Sequence, residues 1–239
     1  MLGLIAGTGI YSFGSAMEKK TIETRYGNVE LFESSVAGQK IIFVPRHGRE
    51  HTIPPHEINY RANVSALSKL GVDAVVSVYS AGILSGYKPG DIVLAEDFIG
   101  LFAPATFFDD FSGGMRHTDF SNPFSAKMQE KLLEVASVNG IRLEKGGVIA
   151  TTRGPRFETK AEVRFLKGTG ANLVNMTSAY EMSLLGEAEI DFASLIVASN
   201  YAAGISSEPL KHEDVLSAMA EATGKVGTLI SEFVKESSA

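Results

Sequence analysis

Seven short apolar runs, each separated from the next by a longer amphipathic or polar stretch, constrain this chain more than any other feature. They fall at residues 2–6, 41–44, 74–79, 91–95, 147–150, 173–176 and 193–198. Runs this short, rich in Val, Ile, Leu and Ala, read as strands buried in a sheet. The intervening stretches carry helix signals. Residues 56–70 place Ile58, Ala62, Ala66 and Leu70 at every fourth position, with Gly71 as a stop. Asn122-Pro123 predicts an N-cap followed by proline in the first turn, and Gly140 the end of that helix. Thr159 to Glu162 has the form of a capping box. A last helix over residues 211–237 carries Val215, Met219, Val226, Leu229, Ile230 and Phe233. Strands alternating with helices predict one α/β domain over residues 1–239. Its expected core is a mixed, mainly parallel twisted sheet flanked by helices.

Bulk properties exclude several classes. A chain of 239 residues that is 44% hydrophobic can fill one sizeable core. Its net charge of −6 gives no electrostatic case for nucleic acid. With no cysteine, disulfides, thiolate-bound zinc and a cysteine nucleophile are excluded. No apolar run reaches membrane-spanning length, and the apolar start is too short for a signal peptide, so the expected setting is cytoplasmic. The Gly- and Phe-rich stretch 100–114 is expected to be irregular, as a lid or a subunit contact.

The polar residues gather where strands end. Arg46, His47, Arg49 and His51 follow the run 41–44 and are stiffened by Pro54 and Pro55. Guanidinium and imidazole groups at the carboxyl end of a strand suit an oxyanion such as phosphate. Gly7-Thr8-Gly9 follows the first strand, either as a plain tight turn or as a loop whose amides and Thr8 hydroxyl face an anion. A dinucleotide fingerprint needs a further glycine at position 12, which is Ser12. Tyr79-Ser80 and Met176-Thr177-Ser178 end two other strands with hydroxyls. The spacing of His47, His51 and His56 invites a metal, but the prolines interrupt any helix there and no HExxH is present. No metal is expected.

Taken together, these segments resemble the trimeric purine nucleoside phosphorylase and methylthioadenosine phosphorylase family over nearly the whole chain. The resemblance rests on Gly7-Thr8-Gly9, Arg46-His47-Gly48-Arg49, the run from Pro55 to Asn63, Lys88-Pro89-Gly90-Asp91, Gly154-Pro155-Arg156-Phe157-Glu158-Thr159 and Asn175-Met176-Thr177. It implies phosphorolysis of purine nucleosides to free base and pentose 1-phosphate. Inorganic phosphate would be a co-substrate, no cofactor would be needed, and the assembly would be a homotrimer or a dimer of trimers. It implies a phosphate site of Thr8, Arg46, His47, Ser80 and Thr177 with Tyr79 beside it, and Met176 against the ribose. Phosphate would be nucleophile and stabilise an oxocarbenium-like sugar. A donor aimed at purine N7 would stabilise the leaving base. Asn200 and His47 are the candidate catalytic side chains.

The resemblance also bears on specificity. Methylthioadenosine enzymes carry Asp-x-Asp where this chain has Asn200-Tyr201-Ala202. An asparagine amide holds both a donor and an acceptor end, and suits N7 beside a 6-oxo group. Glu158 stands where 6-oxopurine enzymes carry a carboxylate for N1–H, a hydrogen that adenine lacks. His212 resembles a histidine that bonds the ribose 5′-hydroxyl. His117 resembles a residue donated to the same pocket across a subunit interface. The expectation is a 6-oxopurine nucleoside phosphorylase for inosine and guanosine, with a methylthioinosine phosphorylase as the nearest alternative.

Overall fold

In a computed structural model, residues 1–206 and 212–237 are described, without the side chains of His212 and Asp214. All seven apolar runs are strands: β1 Leu2–Ala6, β4 Gln39–Pro45, β5 Ala74–Ile83, β6 Ile92–Ile99, β7 Leu143–Thr151, β8 Leu173–Asn175 and β9 Asp191–Tyr201. Two more, β2 Ser15–Thr24 and β3 Gly27–Val36, form an antiparallel hairpin at one edge. The order across the sheet is β2-β3-β4-β1-β5-β8-β7-β6-β9. Because β9 also pairs with β5, the last five strands close into a ring. The pairings β1–β4, β1–β5, β5–β9, β6–β7 and β7–β8 are parallel.

Side-chain alternation along these strands feeds two cores. Ile5, Ile42, Val75, Tyr79 and Ile196 point to one side. There they meet helices α1 (Tyr60–Lys69) and α4 (Ser178–Glu187) through Ala62, Ala66, Met182 and Leu185. Leu4, Phe43, Val76, Val78 and Leu195 point to the other. They are covered by α2 (Ala126–Val138) and α5 (His212–Glu236) through Leu132, Val135, Met219, Val226 and Ile230. Helix α3 (Lys160–Gly168) packs Val163 and Leu166 against a smaller cluster with Val174 and Ala202.

Several helix ends match the sequence signals. Gly71 has φ +74° after α1, Gly140 has φ +63° after α2, and the Thr159–Glu162 capping box has both of its hydrogen bonds. Others differ. Helix α2 begins at Ala126 with Ser125 at the N-cap position and no side-chain capping bond, so Asn122-Pro123 lies before it in irregular chain. The stretch 56–70 divides at Ile58 into a short turn of 3-10 helix, Pro55–Glu57, and α1, whose cap is Asn59. Residues 100–125 hold neither helix nor strand.

Candidate active site

The carboxyl ends of β1, β4, β5, β8 and β9 surround one cavity of about 340 Å³, within the size range of small-molecule sites. Its wall holds Thr8, Arg46, His47, Tyr79, Ser80, Met176, Thr177, Glu158, Asn200 and Ala202. Residues separated by more than 190 positions in the chain therefore meet in one place, as the strand-end pattern predicts. Two expected residues lie elsewhere. Tyr201, between Asn200 and Ala202 on an extended strand, is 36% exposed and not part of the wall. His117 is exposed on the 100–125 segment, its ring edge-on to Phe111 at 5.8 Å. His212 begins α5, but its side chain lies outside the described residues.

Two glycines make the β1 turn possible. A Cβ on Gly7 would stand 2.8 Å from Arg46 Nη1, and one on Gly9 would stand 2.8 Å from Met219 Cβ. Gly9 also has φ +84°, which L side chains rarely adopt. The turn closes with Ile10 N–H donating to Gly7 O at 3.0 Å.

Arg46 is only 3% exposed, and it is already paired. Its Nε donates to Glu181 Oε1 at 2.6 Å and its Nη2 to Oε2 at 2.9 Å. Nη1 donates to Val78 O at 3.0 Å, and the guanidinium carbon lies 4.2 Å from the Tyr79 ring centroid. Burial works against the charge on Arg46, but the adjacent Glu181 carboxylate outweighs it and holds the guanidinium protonated. The Tyr79 hydroxyl donates to Glu181 Oε2 at 2.8 Å, and burial pushes its pKa well above the ordinary phenol value.

His47 is polar without being cationic. Its Nδ1 lies 2.8 Å from Ile53 O, and a carbonyl only accepts, so Nδ1 carries the hydrogen and Nε2 is the acceptor of the neutral ring. Burial and then Arg46 lower its pKa to about 4. Thr177 precedes α4 but its hydroxyl does not cap the helix. Asn175 Oδ1 takes that part, accepting from the Thr177 and Ser178 amides at 3.4 and 3.2 Å.

Glu158 and Asn200 are also buried in the wall. Thr152 Oγ1 donates to Glu158 Oε1 at 2.6 Å, which leaves Oε2 with unused acceptor capacity. Asn200 Nδ2 donates to Tyr201 O at 3.2 Å, and Ser199 Oγ donates to Asn200 Oδ1 at 2.8 Å. One amide N–H of Asn200 remains for a ligand. Asn200 is aimed by a strand irregularity. The register runs Ala81↔Ala198 and then Gly82↔Asn200, so Ser199 is an extra residue in β9. Such bulges re-aim side chains beside active sites.

Three of these participants escape a reading of local sequence. Glu181 is 135 residues from Arg46, on a helix with no clear apolar periodicity, and only tertiary pairing reveals it. Thr152 and Ser199 sit beside recognisable residues but act through hydrogen bonds that spacing does not encode. His56 stands off the cavity with its Nε2 3.4 Å from Glu57. Among the described residues no group of three or more His, Asp or Glu side chains gathers as metal ligands would.

Comparison with known proteins agrees with this geometry. The phosphorylase superfamily model matches residues 2–235. The chain is 40% identical over 223 residues to a probable 6-oxopurine nucleoside phosphorylase of Moorella thermoacetica, covering 91% of this chain and 86% of that one. It is 37% identical over 238 residues to a probable S-methyl-5′-thioinosine phosphorylase of Methanopyrus kandleri, covering 98% and 91%. In structure it resembles methylthioadenosine phosphorylase from Schistosoma mansoni in complex with adenine. That likeness has a TM-score of 0.90 at 27% identity and covers 98% of this chain and 90% of that one. With a family model spanning nearly its whole length and a cavity that joins a buried arginine to a buried carboxylate and amide, the chain belongs to the phosphorylase superfamily as a nucleoside phosphorylase, a pentosyltransferase.

Proposed function

We propose that this enzyme is a 6-oxopurine nucleoside phosphorylase, converting inosine and guanosine with phosphate to hypoxanthine or guanine and ribose 1-phosphate. The observation that carries the reading is the presence, in one cavity, of an arginine-and-hydroxyl cluster and of the Glu158–Asn200 pair. Phosphate would lie against Thr8, Arg46, His47, Ser80 and Thr177, with Tyr79 as the wall behind Arg46. Neutral His47 would accept the hydrogen of a protonated phosphate oxygen at Nε2. A phosphate oxygen attacks C1′ as the C1′–N9 bond breaks, and the electron pair of that bond leaves with the purine. Charge then gathers on the imidazole ring of the base. The free N–H of Asn200 would donate to N7 as that charge develops, which is where a donor lowers the barrier most. Glu158 Oε2 would accept N1–H of a 6-oxopurine, and Met176 would pack on the ribose.

Phosphate dependence tests the reaction class. Base release from inosine should require phosphate or arsenate and yield ribose 1-phosphate when phosphate is supplied. Equal release as free ribose in phosphate-free buffer would make the protein a hydrolase.

A second reading has an observation behind it. Helix α5 contributes Val215 to the cavity wall, an apolar side chain one turn beyond His212. Together with relatives named for methylthioinosine, this favours an apolar 5′ end and an S-methyl-5′-thioinosine phosphorylase with the same base site. The choice turns on His212, which would bond a 5′-hydroxyl and only weakly a thioether. His212→Val should shift preference toward methylthioinosine by about tenfold if His212 reads the hydroxyl.

The assembly belongs to the same proposal. Leu101, Phe102, Phe111 and Met115 expose apolar side chains on the segment that also carries His117. A homotrimer, or a dimer of trimers, would cover them and bring His117 toward a neighbouring cavity. Among the described residues no helix is long and apolar enough to cross a membrane, and a cytoplasmic setting fits this reading.

A further inference from the structure

We propose that Glu181 is a positioning residue of the phosphate site, acting through Arg46 rather than on the substrate. This rests on the reading of the Arg46 side of the cavity as the phosphate site. Glu181 is fully buried and both of its oxygens hold the arginine: Oε1 at Nε and Oε2 at Nη2, at 2.6 and 2.9 Å. Such a fork fixes the plane and the roll of a guanidinium, which a single contact leaves free. The Tyr79 ring closes one face of that plane at 4.2 Å, and the Tyr79 hydroxyl holds Oε2 at 2.8 Å, so the carboxylate is itself held. With Val78 O taking one N–H of Nη1, three of the five guanidinium N–H groups are committed to the protein. The remaining two, one on each Nη, are available to the cavity wall of which Arg46 is part. Nη1 lies against Gly7, and the missing Cβ of that glycine is what lets the arginine reach the strand end beside Thr8.

The same pairing sets the electrostatics. The arginine charge is cancelled by a carboxylate at hydrogen-bond distance, and His47 is neutral above pH 4. The site therefore offers phosphate directed hydrogen bonds rather than a net positive charge. The geometry of those bonds then decides affinity for phosphate, and Glu181 sets that geometry for the arginine.

Two variants separate positioning from mere support of the fold. Glu181→Asp keeps the charge but withdraws the carboxylate by one methylene, so the fork cannot close on both nitrogens. Tyr79→Phe keeps the ring beneath the guanidinium and removes only the hydroxyl that holds Glu181. The measurement is the KM for phosphate at saturating inosine and the KM for inosine at saturating phosphate, with arsenate as a second nucleophile. Glu181→Asp should raise the phosphate and arsenate KM by roughly tenfold or more, the scale of a lost charged hydrogen bond, and change the inosine KM by less than about threefold. Tyr79→Phe should shift the same constants in the same direction by a smaller factor. A residue that only supports the fold would lower the melting temperature and the active fraction while leaving both KM values alone, and that result overturns the proposal. So does a parallel rise of both KM values, or an unchanged phosphate KM in Tyr79→Phe should Glu181→Asp fail to fold. If the wild type releases base without phosphate, the phosphorylase reading itself falls; normal wild-type phosphate dependence with unaltered variants removes only the role of Glu181.

Discussion

At the scale of single residues, the side of the cavity proposed to read the base is two side chains held by two hydroxyls. Asn200 is fixed by Ser199 and Tyr201, and Glu158 by Thr152. Asn200→Ala should lower kcat for inosine by about 10²–10³, the usual effect of removing one transition-state donor, measured in steady state at saturating phosphate. Thr152→Val is nearly isosteric and removes the short hydroxyl hydrogen bond to Glu158 Oε1 together with a long one to Asn175 O at 3.4 Å. It should reduce kcat/KM for inosine by roughly tenfold or more with the phosphate KM unchanged, the scale of one hydrogen bond to a charged group. Arg46, His47 and Thr8 were legible as candidates because each follows a strand in a recognisable run, whereas Glu158 and Asn200 were legible through the family resemblance. Glu181 was not legible: an acidic residue in the first turn of a helix looks like a solvated partner of the helix dipole until the fold brings Arg46 against it. Tyr201 lies off the cavity wall, since a strand that points Asn200 and Ala202 inward turns the side chain between them outward.

Among the elements, burial decided what could be read. The seven strands found from sequence are the ones packed on both faces, whose apolar runs cannot be disguised. The hairpin β2–β3 escaped because much of β2 is exposed and carries Glu18, Lys19, Lys20 and Glu23. Helix α4 escaped for the opposite reason: six of its ten residues are buried, so no polar face marks its period. The bulge at Ser199 is a register event between strands far apart in sequence, and nothing local announces it. The capping box of α3 was legible because its signal is local. Thr159→Ala removes the hydroxyl that accepts the Glu162 amide, and should cost about 1 kcal/mol in chemical denaturation with an unchanged m-value.

For the molecule as a whole, stability and function meet at His47. Its pKa is about 4 in the fold against an ordinary 6.5, because burial and Arg46 disfavour the imidazolium. Between those values the unfolded chain binds a proton that the native state refuses. Stability is therefore lost as pH falls from 6.5, with the loss levelling below about 4. The shift is worth about 3 kcal/mol at roughly 1.36 kcal/mol per unit. Denaturation midpoints of wild type and His47→Gln should converge as pH drops through that window; parallel curves would remove His47 from the acid response. The proposed function is chemical: Glu158 and Asn200 would discriminate a 6-oxopurine from a 6-aminopurine in this cavity. The direct measurement is kcat/KM for inosine and adenosine, and for methylthioinosine and methylthioadenosine, at saturating phosphate. The 6-oxo member of each pair should be favoured by roughly 10² or more, whatever stands at the 5′ position. Equal efficiencies within either pair, or a preference for the 6-amino member, would contradict it.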